Sequence, residues 1–269
     1  MSTKSGHNTI ASRYATSTAY PLGGKIVSCT VNKIGETTNE PSTATRQVDQ
    51  SSTGFAWQID IKMKVQVLAD YITSYCMITA EGALNSHSLY VDNGNVKRGF
   101  TGCYVDKCKL SLDQTGSLIA DITVLANGDE DKSLTVTEET EAPMTKAAVS
   151  AFTSGGSGVS KWVNFSFAVD NHVQKQSTGT SNMVSEIWPK EATYSGSFKA
   201  VCLGTPQYGF GVTTTTKTLV WALADNQSSP VTTTFTFTNA KCKSNKYGWT
   251  ELDLVYEDLD WDCASLTIS

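Results

Sequence analysis

The stretch FTFTNAKCKSNKYGWTELDLVYEDLDWDC, Phe235 to Cys263, decides how the rest of the chain is read. It has a near-double upstream, FTGCYVDKCKLSLDQTGSLIADITVLA, Phe100 to Ala126. Phe237 lies 137 positions after Phe100, and about 25 positions then align without a gap. Phe100/Phe237, Thr101/Thr238 and Asp121/Asp258 coincide, while Ile122 and Val124 fall over Leu259 and Trp261. Three identities alone say little, but the offset recurs. At 136, Ile26-Val27 fall over Trp162-Val163, and Cys29 and Val31 over Phe165 and Phe167. The polar stretch after Gly35 falls over the one after His172, the run at Phe55 near Thr193, and Leu68 to Ile78 near Lys217 to Asp225. Strand, long polar loop, strand, helix and hairpin strands thus occur twice, which predicts an internal duplication.

Outward from that pair, FAWQIDIKMKVQV (Phe55 to Val67) is the clearest strand. Its apolar residues alternate with Gln58, Asp60, Lys62, Lys64 and Gln66, as a strand with one buried and one wet face requires. KIVSCTV (Lys25 to Val31), WVNFSFAV (Trp162 to Val169) and TYSGSFKAVC (Thr193 to Cys202) show the same period. Leu68, Tyr71, Ile72, Tyr75 and Cys76 follow helical spacing, which predicts a short helix. Lys217 to Asp225 fits helix or strand. Gly35 to Ser52 and His172 to Lys190 lack apolar periodicity, and the first is a long loop or the tip of an extended hairpin. The expected organisation is an N-terminal arm over 1–20, a first β domain over 21–142, a linker with a short helix over 143–160, and a second β domain over 161–269. Ser154 to Gly158 has the composition of a flexible linker.

Only 17 % of the residues are charged, and 26 acids outnumber 21 bases. That balance predicts no phosphate-gripping basic face. The first twenty residues contain no apolar core of a signal peptide, and no run suits a bilayer. The expectation is a soluble cytoplasmic product with no membrane partner. Seven cysteines at irregular spacing read mostly as small buried hydrophobes. His7, His87 and His172 sit in polar surroundings without metal-ligand spacing. No nucleophile elbow, phosphate loop or dinucleotide fingerprint occurs. Glu251, Asp253, Glu257, Asp258, Asp260 and Asp262 alternate with apolar residues, as a solvent-facing strand side does, rather than forming a glycosidase pair. The reading is therefore no enzyme, no cofactor and no metal. Trp162 and Trp261 belong to strand patterns and to the core. Trp188, beside Pro189 in a polar loop, reads as exposed unless a partner covers it.

The second half resembles the tail tube proteins of tailed viruses. The resemblance rests on a strand through Ser195-Gly196-Ser197-Phe198, a helix-like piece from Leu219 to Ala224, the run Phe235 to Lys241, and the final hydrophobic and acidic strand. The first half shows the same order with Phe100-Thr101-Gly102-Cys103, so the likeness spans residues 25 to 269. It implies two tandem β-sandwich or small-barrel domains, each with about one short helix. It implies subunits that close into rings, rings that stack into a tube, and transient passage of double-stranded DNA without specific binding. Three duplicated chains would make one pseudo-sixfold ring, assembled in host cytoplasm and placed in the virion tail with other tail proteins. The arm and the two polar loops then become ring-to-ring contacts, with Glu36, Arg46, Asp49, Lys175, Glu186 and Trp188 as candidate residues. A lumen lined with acids would let DNA slide by repelling phosphates. The alternatives are a capsid decoration or tail terminator protein, or a carbohydrate-binding sandwich reading sugars through Trp188.

One local prediction follows from the opening stretch. Leu252, Leu254 and Tyr256 are apolar on one parity, and Leu259, Trp261 and Cys263 on the other. A β-bulge at Glu257-Asp258 would reconcile them.

Overall fold

The structure is a computed structural model and describes residues 9–41, 48–68, 71–77, 84–94, 97–113, 115–159, 161–176, 186–201, 216–249 and 255–269. The fold is mainly β, a large curled antiparallel sheet of sixteen strands with one separate two-stranded hairpin. In the first half the strands are β1 (Ile10–Ala15), β2 (Thr18–Pro21), β3 (Gly24–Pro41), β4 (Val48–Val65), β5 (His87–Asp92), β6 (Lys97–Asp113), β7 (Ile119–Ala126) and β8 (Gly128–Asp131). In the second they are β9 (Val149–Ser154), β10 (Ser157–Gly158), β11 (Trp162–Asp170), β12 (Gln174–Gln176), β13 (Glu186–Trp188), β14 (Thr193–Val201), β15 (Lys217–Ala224), β16 (Thr232–Trp249), β17 (Val255–Cys263) and β18 (Ser265–Ile268).

Eight strands form one continuous face in the order β3-β4-β7-β6-β11-β14-β17-β16. The first four belong to the first half of the chain and the last four to the second. β6 and β16 are long enough to serve two surfaces. The N-terminal part of β6 also pairs with β5 and β8, and that of β16 with β15 and β18. β1 and β2 extend one of these flaps, and β9 and β10 the other.

Registers repeat along with the order. Ile61 opposes Ile122, and 137 positions on Phe198 opposes Leu259. The β6–β7 register slips between Val105 and Lys107, and the β16–β17 register between Cys242 and Ser244, the same offset. The β3–β4 slip between Ile26 and Ser28 matches the β11–β14 slip between Trp162 and Asn164 at 136. Bulges mark positions where a strand must bend, so a shared bulge is a stricter likeness than shared alternation.

Several expectations are corrected. The bulge is not at Glu257-Asp258: β17 pairs without a slip from Tyr256 to Cys263 on β14, and the irregularity lies on β16 at Lys243. Glu257 keeps the parity of Leu259 and Trp261 and is buried at 1 % exposure, where Asn245 Nδ2 donates to its Oε1 at 3.2 Å. A hydrogen-bonded carboxyl can take an inward position that hydropathy alone would refuse it. Leu252 and Leu254 lie outside the described residues.

The helix-like piece Leu219 to Ala224 is strand β15, with Leu219, Trp221 and Leu223 directed into the core. Its register partner in the first half is β5 rather than Leu68 to Ile78: Leu89 opposes Phe100, and Leu219 opposes Phe237. The described part of Leu68 to Ile78 holds one turn of π-helix, Tyr71–Tyr75, with Tyr71 and Ile72 buried. The described part of the arm expected over 1–20 lies largely in β1 and β2, and the described part of the linker expected over 143–160 holds its short helix as a 3-10 turn at Lys146–Ala148, followed by β9 and β10. Both segments follow because a short polar strand pairs through its backbone and needs little apolar periodicity of its own.

The apolar sides of these strands make one core that runs through both halves. Its densest part is aromatic. Trp221 lies against Phe165 at 4.2 Å between ring centroids, with Phe167, Phe237, Phe152 and Trp261 around it. Trp162 and Trp261 are core residues, as their alternation indicates. Cys76, Cys103 and Cys108 are buried thiols, Cys29, Cys242 and Cys263 are half-buried, and all six are free.

Candidate assembly surface

The side of the eight-stranded sheet opposite the core is mostly polar, except at one end, where Ile34, Ala56, Tyr104 and Leu125 share it. Period-two alternation forces this: whatever faces away from Ile59, Ile61 and Met63 on β4 is Gln58, Asp60, Lys62 and Lys64. Registers place Ser28, Thr30 and Asn32 of β3 beside them, then Asp121 and Thr123 of β7. Lys107, Lys109 and Ser111 of β6 follow, next to Ser166, Ala168 and Asp170 of β11. Ser195, Ser197 and Lys199 of β14 and Asp258, Asp260 and Asp262 of β17 carry the face on to Ser244 and Lys246 of β16.

Charges of both signs alternate across this surface, so it is not a uniformly acidic one. Lys62 reaches Asp121 at 3.6 Å, Lys107 reaches Asp170 at 3.0 Å, Lys199 reaches Asp258 at 3.7 Å and Lys243 reaches Asp262 at 2.9 Å. Each pair is at least partly exposed and contributes at most about 1 kcal/mol. Their larger effect is to cancel field locally. Asp170 accepts a hydrogen bond from Lys107 and holds that ammonium's pKa above its ordinary value. Hydroxyls join the network, with Ser166 and Ser197 at 3.0 Å and Ser244 Oγ donating to Asp260 Oδ2 at 2.5 Å.

The two edges of the sheet are β3 and the Lys241–Trp249 part of β16. Among the described strands, β3 pairs with β4 alone, and this part of β16 with β17 alone. All seven pairings between them are antiparallel, so the two edges run in opposite directions. An unpaired strand edge is a template for another strand.

Two hairpins carry the described residues among those proposed from sequence as contacts. β3 and β4 stay paired out to Pro41 and Val48, so the polar run Gly35 to Ser52 is an extended hairpin over its described part. Glu36 lies at the irregularity between Gly35 and Thr37, and Asp49 opposes Glu40. Arg46 lies outside the described residues. Lys175, Glu186 and Trp188 share the β12–β13 hairpin, where Lys175 opposes Ile187, Gln176 opposes Glu186 and Gln174 opposes Trp188. The hairpin is seated by Ile187, buried against Ala56 and Leu125 with Ile34, Tyr104 and Val173 nearby. Trp188 is consequently half-buried within the chain rather than fully exposed. The two groups of candidate residues therefore lie on separate hairpins. The polar face and the edges were not singled out from sequence, although alternation in every strand was the signal for the face.

His87 departs from its polar-loop reading. It is buried on β5, its Nε2 3.3 Å from the Tyr71 hydroxyl, and burial pulls its pKa down to about 4. His172 is exposed beside Asp170, and His7 lies outside the described residues. Among the described residues, no three His, Cys, Asp or Glu side chains are grouped to hold a metal ion, and no helix is long and apolar enough to cross a membrane. Compared with known proteins, the chain matches no family model and no curated protein.

Proposed function

We propose that the chain is a structural subunit that assembles with copies of itself into rings, and that stacked rings form the tail tube of a virus through which double-stranded DNA passes. The observation that carries this reading is the eight-stranded sheet, with an apolar core on one side, a mostly polar face on the other, and two open edges of opposite direction. Such a sheet buries its edges when copies join side by side, and closure removes them altogether. With the polar face turned inward, the wall of the channel presents hydroxyls and paired Lys and Asp side chains. Phosphates passing it meet alternating signs, so no stretch of the duplex is gripped.

The recurrence of strand order and register at 137 supports two quasi-equivalent units per chain, hence three chains per pseudo-sixfold ring. The β3–β4 hairpin and the β12–β13 hairpin, with Glu36, Arg46, Asp49, Lys175, Glu186 and Trp188, are then the contacts between rings.

Negative-stain microscopy of the purified full chain, with mass measurement of the smallest ring, tests this. Hollow tubes, or rings holding a multiple of three chains, are expected. Discrete oligomers that never stack would favour a decoration or terminator protein instead. A chain that stays monomeric at high concentration overturns the reading.

A further inference from the structure

The junction between the two halves is itself a strand pairing, β6 with β11, and it rests on the same strands that form the open edges. Counting along the repeated registers, β11 corresponds to β3 at 136 and β6 to β16 at 137. The chain therefore contains, in its own middle, the pairing that its two edges would make. Within that junction Phe165 opposes Leu112, Phe167 opposes Leu110 and Ala168 opposes Lys109. The junction residues are sealed: Phe165, Phe167, Leu110 and Leu112 are all buried. Their counterparts on β3, Cys29 and Val31, are only half-buried. A missing neighbouring strand accounts for that difference.

We propose, resting on the assembly reading above, that β3 of one copy pairs antiparallel with Lys241–Trp249 of the next copy in the register of the β6–β11 junction. Transferring the register sets Cys29, Val31 and Lys33, on the core side of β3, opposite Trp249, Tyr247 and Asn245. On the polar side it sets Thr30 opposite Gly248 and Asn32 opposite Lys246. Parity is preserved at every pair, so the polar face continues across the seam without a break. Lys33 also arrives on the side of the sheet where Glu257 is buried, an arrangement of opposite charges. A slip of one residue would turn Cys29 and Val31 to the wet face, which makes odd registers costly. A slip of two keeps parity but misaligns the bulge at Lys243 with the neighbouring strand.

Within one chain, Asn32 and Lys246 lie at opposite edges, seven strand spacings of about 4.8 Å apart along the sheet, or roughly 34 Å. Because no described pairing brings these two edges together within one chain, a disulfide between positions 32 and 246 is expected to join two copies. The test uses the full chain with Asn32→Cys and Lys246→Cys together, oxidised after assembly and run on non-reducing gels beside the wild type and each single variant. Covalent species rising in steps of one chain and stopping at the ring are expected. Thr30→Cys with Gly248→Cys gives a second reading of the same register. Asn32→Cys with Ser244→Cys, slipped by two residues, is expected to stay at the background level. Preferential cross-linking of the slipped pair overturns the register. Tubes or rings in which none of these pairs cross-links overturn the seam while leaving self-assembly standing. Variants and wild type that all remain monomeric by microscopy and mass overturn both.

Discussion

Gly196→Ala is expected to destabilise the subunit by an amount that the packing around Trp261 sets. Gly196 lies in the middle of β14, opposite Phe167 on one side and Trp261 on the other. A Cβ at this position would stand 2.5 Å from the backbone oxygen of Ser166 and 2.7 Å from Cε2 of Trp261. Neither neighbour has room to retreat. The Ser166 oxygen belongs to the adjacent strand, and the Trp261 ring, fully buried, is backed by Phe237 at 4.9 Å and Trp221 at 6.0 Å. Overpacking a core by one methyl costs about 1–3 kcal/mol, and a backed ring belongs at the upper end. Replacing glycine within a strand returns about 0.5–1 kcal/mol of unfolded-chain entropy. The net cost is about 2 kcal/mol, which is roughly a 30-fold loss in the folding equilibrium. Urea denaturation of dispersed subunits, followed by tryptophan fluorescence, reads this as a lower midpoint, by about 1 M if the slope is about 2 kcal/mol/M. Gly158→Ala is the control, because a Cβ there meets nothing within 4 Å. An unchanged or raised midpoint for Gly196→Ala would show that Trp261 does not occupy the space above Gly196, and the packing argument would fail.

Three further outcomes are expected. Trp221→Ala removes the centre of the aromatic cluster and should cost about 3–5 kcal/mol, and a loss below about 1 kcal/mol by the same denaturation assay would place Trp221 outside the core. Burial lowers the His87 pKa from 6.5 to about 4, so the folded state binds fewer protons than the unfolded one between those values. The stability tied to a neutral His87 is whole above about pH 6.5 and is lost as the pH falls towards 4, and His87→Gln should flatten that slope in urea midpoints measured from pH 7 to pH 4.5. Burial likewise pushes the Cys103 thiol up to about 12, so alkylation at pH 8 mapped by mass spectrometry should leave Cys103 unmodified until the chain is unfolded, and its prompt labelling in the folded protein would contradict its placement.

Alternation was legible in the residues because each strand is half-buried, and a period of two follows from the backbone alone. Phe55 to Val67, Trp162 to Val169 and Thr193 to Val201 are strands for that reason, and the mainly β class comes from adding such stretches together. The 137 offset was legible too, since it needs only a comparison of the chain with itself. What could not be read were features set by partners distant in sequence. Leu219 to Ala224 suits a helix as well as a strand until β9 and β16 lie on either side of it. Glu257 looks like a surface acid until Asn245, on the neighbouring strand, donates a hydrogen bond to it. The displaced bulge has the same origin: the extra residue sits on β16 at Lys243, and no count of parities along β17 alone could find it.

The candidate surface divides in the same way. By itself the sequence determined which side of each strand is wet, because alternation is local. Only the tertiary structure decided that eight wet sides, four from each half, join into one polar face, and that β3 and β16 are left at its edges. Strand order depends on which backbones pair across long separations, and the choice is made by burying one shared core.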